Sequence, residues 1–176
     1  MDKKELCRSI YEIAHLEGDF LLRSGLRSNE YFDKYRFEAN PFLLKAIAQQ
    51  LKSLIPPHTE VLAGLEMGGI PIATALSLET GLPVAFVRKE AKEYGTCKIS
   101  EGTEIKGKRT LIIEDVITTG GQVIESTKAL RDQGATVDTV LCVINRNNQP
   151  SDKLMAIDLQ HLSLFTMDEL KSHLMS

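Results

Sequence analysis

Thr110-Leu111-Ile112-Ile113-Glu114-Asp115-Val116-Ile117-Thr118-Thr119-Gly120-Gly121-Gln122 is the stretch on which the fold turns. Four residues read as a buried strand, which delivers two adjacent acids to its carboxyl end. A loop of hydroxylated and glycyl residues follows, and a helix then runs to about Gln133, closed by Gly134. Backbone N–H groups of such a loop, two threonine hydroxyls and the positive end of the helix dipole can converge on one phosphate. The glycines permit close approach. Carboxylates do not favour a phosphate, but they accept hydrogen bonds from vicinal sugar hydroxyls. Acids plus cradle therefore describe a ribose 5-phosphate. No Gly-Lys-Ser/Thr and no GxGxxG after a strand occurs, which excludes the common nucleotide-binding loops.

Outward from this stretch the pattern is α/β. Val61–Leu65, Val84–Val87 and Thr139–Ile144 read as strands, and Ile70–Thr80 as a helix closed by Gly81. Short β pieces are expected near 156–159, then a last helix behind the capping box Thr166-Met167-Asp168-Glu169. Residues 2–17 read as an amphipathic helix stopped by Gly18, and Asn40-Pro41 opens a helix to about Leu54. Between them, Phe20-Leu21-Leu22 and Tyr31-Phe32 are short β-like pieces. Residues 88–107 read as a long loop, with a hairpin as an option. Apolar strands alternating with helices imply a central, mostly parallel sheet flanked by helices.

Composition is that of a globular domain: 176 residues, 43% hydrophobic and 26% charged. A net charge of −3 argues against broad nucleic-acid binding. No apolar run is long enough for a membrane span. Cys7, Cys97 and Cys142 are dispersed and odd in number, as expected of a reducing, cytoplasmic setting. The four histidines match no metal-ligand or triad spacing.

The Thr110–Gln122 segment resembles the phosphoribosyl-diphosphate (PRPP) signature of the type I phosphoribosyltransferases. Phe20-Leu21-Leu22-Arg23-Ser24-Gly25 with Ser28, Tyr31 and Asp33 resembles the amino-terminal hood of that family's orotate branch. Arg88-Lys89-Glu90-Ala91-Lys92-Glu93-Tyr94-Gly95 resembles its mobile catalytic loop, and Arg146 its base-binding arginine. The match runs from about residue 10 to 147. It implies a single phosphoribosyltransferase domain over 1–176, with residues 1–37 and the C-terminal segment forming hood and edge. It also implies transfer of a 5-phosphoribosyl group from PRPP to orotate.

The implied PRPP-binding residues are Arg88, Lys89, Lys92, Tyr94, Glu114, Asp115, Val116, Ile117, Thr118, Thr119, Gly120, Gly121 and Gln122. Lys92 and Asp115 are the implied catalytic pair. Arg23, Phe32, Thr118 and Arg146 are implied for orotate, with Tyr31 an alternative to Phe32 for stacking on the ring. Cations placed where diphosphate charge develops lower the barrier. An arginine can grip a carboxylate with two parallel hydrogen bonds. Mg²⁺ is the expected cofactor, held mainly by PRPP and water, with no direct protein ligand assigned. A homodimer sharing the 88–107 loop between subunits is expected, with neither nucleic acid nor membrane as partner. The chain departs from the branch at Tyr94, commonly histidine, at Asn145, usually aspartate, and at Gly68, beside which a lysine is usual. Transfer to another base, or PRPP sensing without catalysis, stay open as alternatives.

Overall fold

The structure, a computed structural model, describes residues 1–22, 25–90, 99–147 and 151–172. Apolar runs flanked by turn residues assemble one six-stranded sheet. Its order is β5 (Ser100–Gly102), β4 (Val84–Val87), β3 (Val61–Leu65), β6 (Thr110–Ile117), β7 (Thr139–Asn145), β8 (Gln160–Thr166). All pairings are parallel except that of β5 on β4. Every residue of β3 and β7 is buried, because helices cover both faces.

Alternation along β6 sorts the core. Leu111 and Ile113 enter a cluster built with α1 (Lys3–Ala14), α3 (Pro41–Leu51) and α4 (Gly69–Thr80). Ile112 enters a second cluster with Val123 and Leu130 of α5 (Gly121–Asp132) and Leu154 of α6 (Asp152–Met155). Helix α4 crosses from β3 to β4 over one face, and α5 from β6 to β7 over the other. The strand order therefore reverses between β3 and β6. A crevice opens beyond their carboxyl ends, where ligands of such sheets bind.

The far end of α5 is tied down by Arg131. Its guanidinium donates to the Val137 carbonyl at 2.9 and 2.6 Å and to the Ile157 carbonyl at 2.8 Å. This clasp also shapes the turn at Asp158, whose φ is +53°. Here the structure departs from expectation. Residues 152–155 form a helical turn, and the strand begins only at Gln160. Strand β8 is partly exposed and carries Gln160, His161 and Ser163, so apolar runs did not mark it.

Further boundaries move. Strand β6 runs on to Ile117, past the expected end at Ile113, and α3 stops at Leu51 rather than Leu54. Helix α1 ends at Ala14 rather than residue 17, because His15 and Leu16 already pair with Phe32 and Tyr31. The antiparallel hairpin of β1 (His15–Leu21) and β2 (Arg27–Phe32) is thus longer than its two β-like pieces suggested. A helical turn, α2 (Tyr35–Glu38), links this hood to α3. The final helix, α7 (Met167–Ser172), starts as expected: Glu169 N–H donates to the Thr166 hydroxyl, and Thr166 N–H donates to the Glu169 carboxylate. Among the described residues no helix is long and apolar enough to cross a membrane.

Candidate active site

The crevice holds a cavity of about 350 Å³ at the carboxyl ends of β3 and β6. The whole run Val116–Gln122 lines it, together with Glu114 and Lys89. Gly120 makes the turn into α5 at φ +75°, a conformation that side chains rarely adopt. Gly121 opens the helix, and a Cβ there would meet nothing within 4 Å. The first turn of α5 therefore presents open backbone to the cavity, as a phosphate cradle requires. Asn147 holds this loop from outside, its side-chain amide donating to the Thr118 carbonyl at 2.5 Å.

The two acids stay within hydrogen-bonding reach of each other but meet different surroundings. Glu114 lines the cavity, whereas Asp115 is fully buried behind it and is no part of the wall. Asp115 meets the Lys34 ammonium at 2.6 Å. It also stands beside Gly68, where an added Cβ would lie 1.7 Å from its Oδ2 and 3.0 Å from Glu38 Oε1. Gly69 makes a different allowance: its Cβ would lie 2.3 Å from the Ile113 carbonyl oxygen, so the start of α4 packs directly on the backbone of β6.

Three carboxyls and one ammonium thus share a buried cluster. Burial pushes Glu38 up to about 9, aided by the hydrogen bond and negative charge of Asp115. Burial likewise drives Glu114 well above the usual carboxylate range, again aided by Asp115. Burial works against Asp115 too, but hydrogen bonds from Glu114 and Glu38 and the Lys34 charge outweigh it and hold Asp115 low. The same pair raises Lys34 despite its desolvation. These shifts favour charge on Asp115 and protons on Glu38 and Glu114, so the cluster repels an anionic ligand less than three carboxylates would.

Beside this cavity lies a smaller one of about 190 Å³. Phe32, Thr118 and Arg146, all expected at the base, line it with Tyr31 and Tyr35. Arg146 follows β7 directly, and its N–H donates to the Ile117 carbonyl at 2.9 Å. Among the cationic expectations, Lys89 reaches the larger cavity. Its N–H donates to the Glu66 carboxylate at 2.6 Å. Arg88 does not reach it: the residue continues the β4 ladder, N–H to the Ile99 carbonyl at 2.8 Å, and is half-buried there. Arg23, Lys92 and Tyr94 lie outside the described residues. A further cavity of about 460 Å³ at the β5 edge has, among the described residues, no lysine or arginine in its wall.

Lys34, Tyr35 and Glu38 are the site residues that motif reading passed over. The available signal was Glu38 itself, an acid between Phe37 and Ala39, just before the helix cap Asn40.

Residues 36–163 match the family model of the phosphoribosyl transferase domain. The orotate phosphoribosyltransferase of Nocardioides sp. is 49% identical over 94% of this chain and 92% of its own. The chain belongs to the orotate phosphoribosyltransferase family. The family's enzyme from Methanocaldococcus jannaschii is 37% identical over 98% of this chain and 99% of its own. A crystal structure of the Mycobacterium tuberculosis family member, in complex with Fe(III) dicitrate, superposes with a TM-score of 0.87 at 28% identity, covering 97% of this chain and 99% of that one. Its complex with PRPP gives 0.83 at 26% identity, with the same coverage. Family membership agrees with the sheet order, the hood and the cradle of Val116–Gln122.

Proposed function

We propose that this protein transfers the 5-phosphoribosyl group of PRPP to orotate, giving orotidine 5′-monophosphate and diphosphate in pyrimidine biosynthesis. One observation carries the reading. A phosphate cradle and an arginine-bearing aromatic cavity lie side by side, sharing Lys34, Tyr35, Val116 and Thr118 in their walls. Ribose 5-phosphate fits the first and a flat carboxylated base the second, so the ribose C1 falls at their seam.

The backbone of Thr118–Gln122 grips the 5-phosphate, Glu114 faces the ribose hydroxyls, and Asp115 supports that wall from behind. Arg146 takes the orotate carboxylate and Phe32 or Tyr31 packs on the ring. Orotate N1, an anion, attacks C1. The C1–O bond breaks and its electron pair leaves with diphosphate. No general base is required, so catalysis is mainly positioning and leaving-group neutralisation.

Mg²⁺ fits the larger cavity. It is characteristically held by one or two carboxylates together with substrate phosphates and water, and the Glu66 carboxylate lies in this wall. Bound there, it would neutralise and orient the diphosphate. Lys34 and Lys89 are the only cations that the described residues bring to this cavity. A highly anionic ligand calls for more, which supports Lys92 entering from a second subunit; of the expected 88–107 loop, Ser100–Gly102 are instead strand β5 of this chain's own sheet, and Ile105 is in its core. Free, buried Cys7 and Cys142 suit a reducing, cytoplasmic location.

Loss of orotate absorbance with PRPP and Mg²⁺ tests the reaction; turnover on another base but not on orotate would sink it. For the shared loop, inactive Lys92→Ala and Asp115→Asn proteins should regain activity when mixed. A dead mixture in which heterodimers form would defeat the shared site.

A further inference from the structure

Two anions must lie side by side in this reaction, and their mutual repulsion opposes the ternary complex. The seam between the two cavities therefore calls for positive charge. Among the described residues Lys34 is the one cation that lines both. Arg146 lines only the smaller of the two and Lys89 only the larger. The Lys34 ammonium is anchored from behind, 2.6 Å from Asp115, and it lies 5.2 Å from the centre of the Tyr35 ring. Asp115 lines neither cavity and is fully buried. The pair is thus a fixed dipole with its positive end at the seam. An ammonium has three donors, and one directed at Asp115 leaves others for ligands. The side chain is 34% exposed, enough for contact with both reactants.

We propose that Lys34 is a substrate-contacting residue that screens the anionic base from the diphosphate at the seam of the two cavities, a role resting on the transferase reading above. Its signature is a coupling between two ligands rather than the affinity of either alone.

Titration calorimetry of orotate, with and without inorganic diphosphate, reads that coupling without turnover. Bound diphosphate should weaken orotate by no more than about threefold in the wild type and by at least about tenfold in Lys34→Met, with Lys34→Arg near the wild type. Thermal melts check folding. If Lys34→Met is unfolded, Lys34→Gln takes its place. A folded neutral variant with wild-type coupling overturns the role of Lys34 and leaves the transferase reading standing. Wild-type protein that binds diphosphate but no orotate defeats that reading and the role together.

Discussion

Replacing Gly68 by alanine adds one methyl group, and the structure says where it goes. It would stand 1.7 Å from Asp115 Oδ2 and 2.4 Å from Asp115 Cγ, where ordinary contact begins at 3.4 Å. The backbone raises no objection, since Gly68 has helical angles of φ −71° and ψ −28°. The whole effect is therefore contact. The carboxylate must retreat by about half the contact distance, and the 2.6 Å approach of Lys34 then opens to an ordinary polar separation. Overpacking of this kind costs about 1–3 kcal/mol, and a weakened buried ion pair adds to it. About 2–3 kcal/mol in all corresponds to a fall in Tm of roughly 5–10 °C for a chain of this size. A displacement of order 1 Å beside the reacting centre lowers kcat/KM by about 10²-fold. Thermal melts and initial rates with both substrates varied measure the two effects. A Gly68→Ala protein that melts within about a degree of the wild type and keeps kcat/KM within about twofold would refute the placement of Asp115 against this glycine.

Gly121→Ala should do the opposite to stability: alanine there meets nothing, and its helix propensity favours it by up to ~1 kcal/mol. The KM for PRPP should nevertheless rise at least about tenfold, because the methyl covers backbone assigned to the phosphate; an unchanged KM would move the phosphate off this helix. Glu38, held protonated to about 9 against an ordinary 4.5, stabilises the fold fully below its unfolded pKa and loses that contribution as pH rises toward 9. Glu38→Gln cannot ionise, so its Tm should match the wild type below about pH 4 and overtake it progressively toward pH 9; parallel curves would mean Glu38 is ionised in the folded protein. Arg146→Ala removes hydrogen bonds to a charged group, worth about 1.5–3 kcal/mol, and should raise the orotate KM roughly tenfold to a hundredfold while the PRPP KM stays put. Equal rises in both would take Arg146 away from the base.

The sheet was legible because its central strands are buried on both faces and so read as unbroken apolar runs. Val61–Leu65, wholly buried, and Val84–Val87, apolar although Phe86 is exposed, are found with the expected bounds. The cradle was legible for a related reason: backbone geometry there depends on glycine, and Gly120 and Gly121 announce it. Strand β8 was misplaced because a half-exposed strand lacks that apolar run. The division of labour between Glu114 and Asp115 was not legible. Adjacent acids look equivalent as letters, and only the packing around them puts one on the cavity wall and the other against Lys34. Lys34 itself lies about 80 positions upstream of that acid, in a turn with no motif, and only the packing of the hood on the sheet brings the two together.

Helix α5 is a beam clamped at one end. Its free tip offers bare backbone to a phosphate, and the Arg131 clasp sits near the opposite tip, roughly 18 Å away for twelve residues at 1.5 Å each. The backbone part of the cradle has no side chain of its own to adjust its aim. Its aim is set by what holds it: Asn147 at the loop, and along the rod a guanidinium on no wall of either cavity. For protein engineers this separates two controls: ligand chemistry is edited at the tip, and its alignment at the clamp.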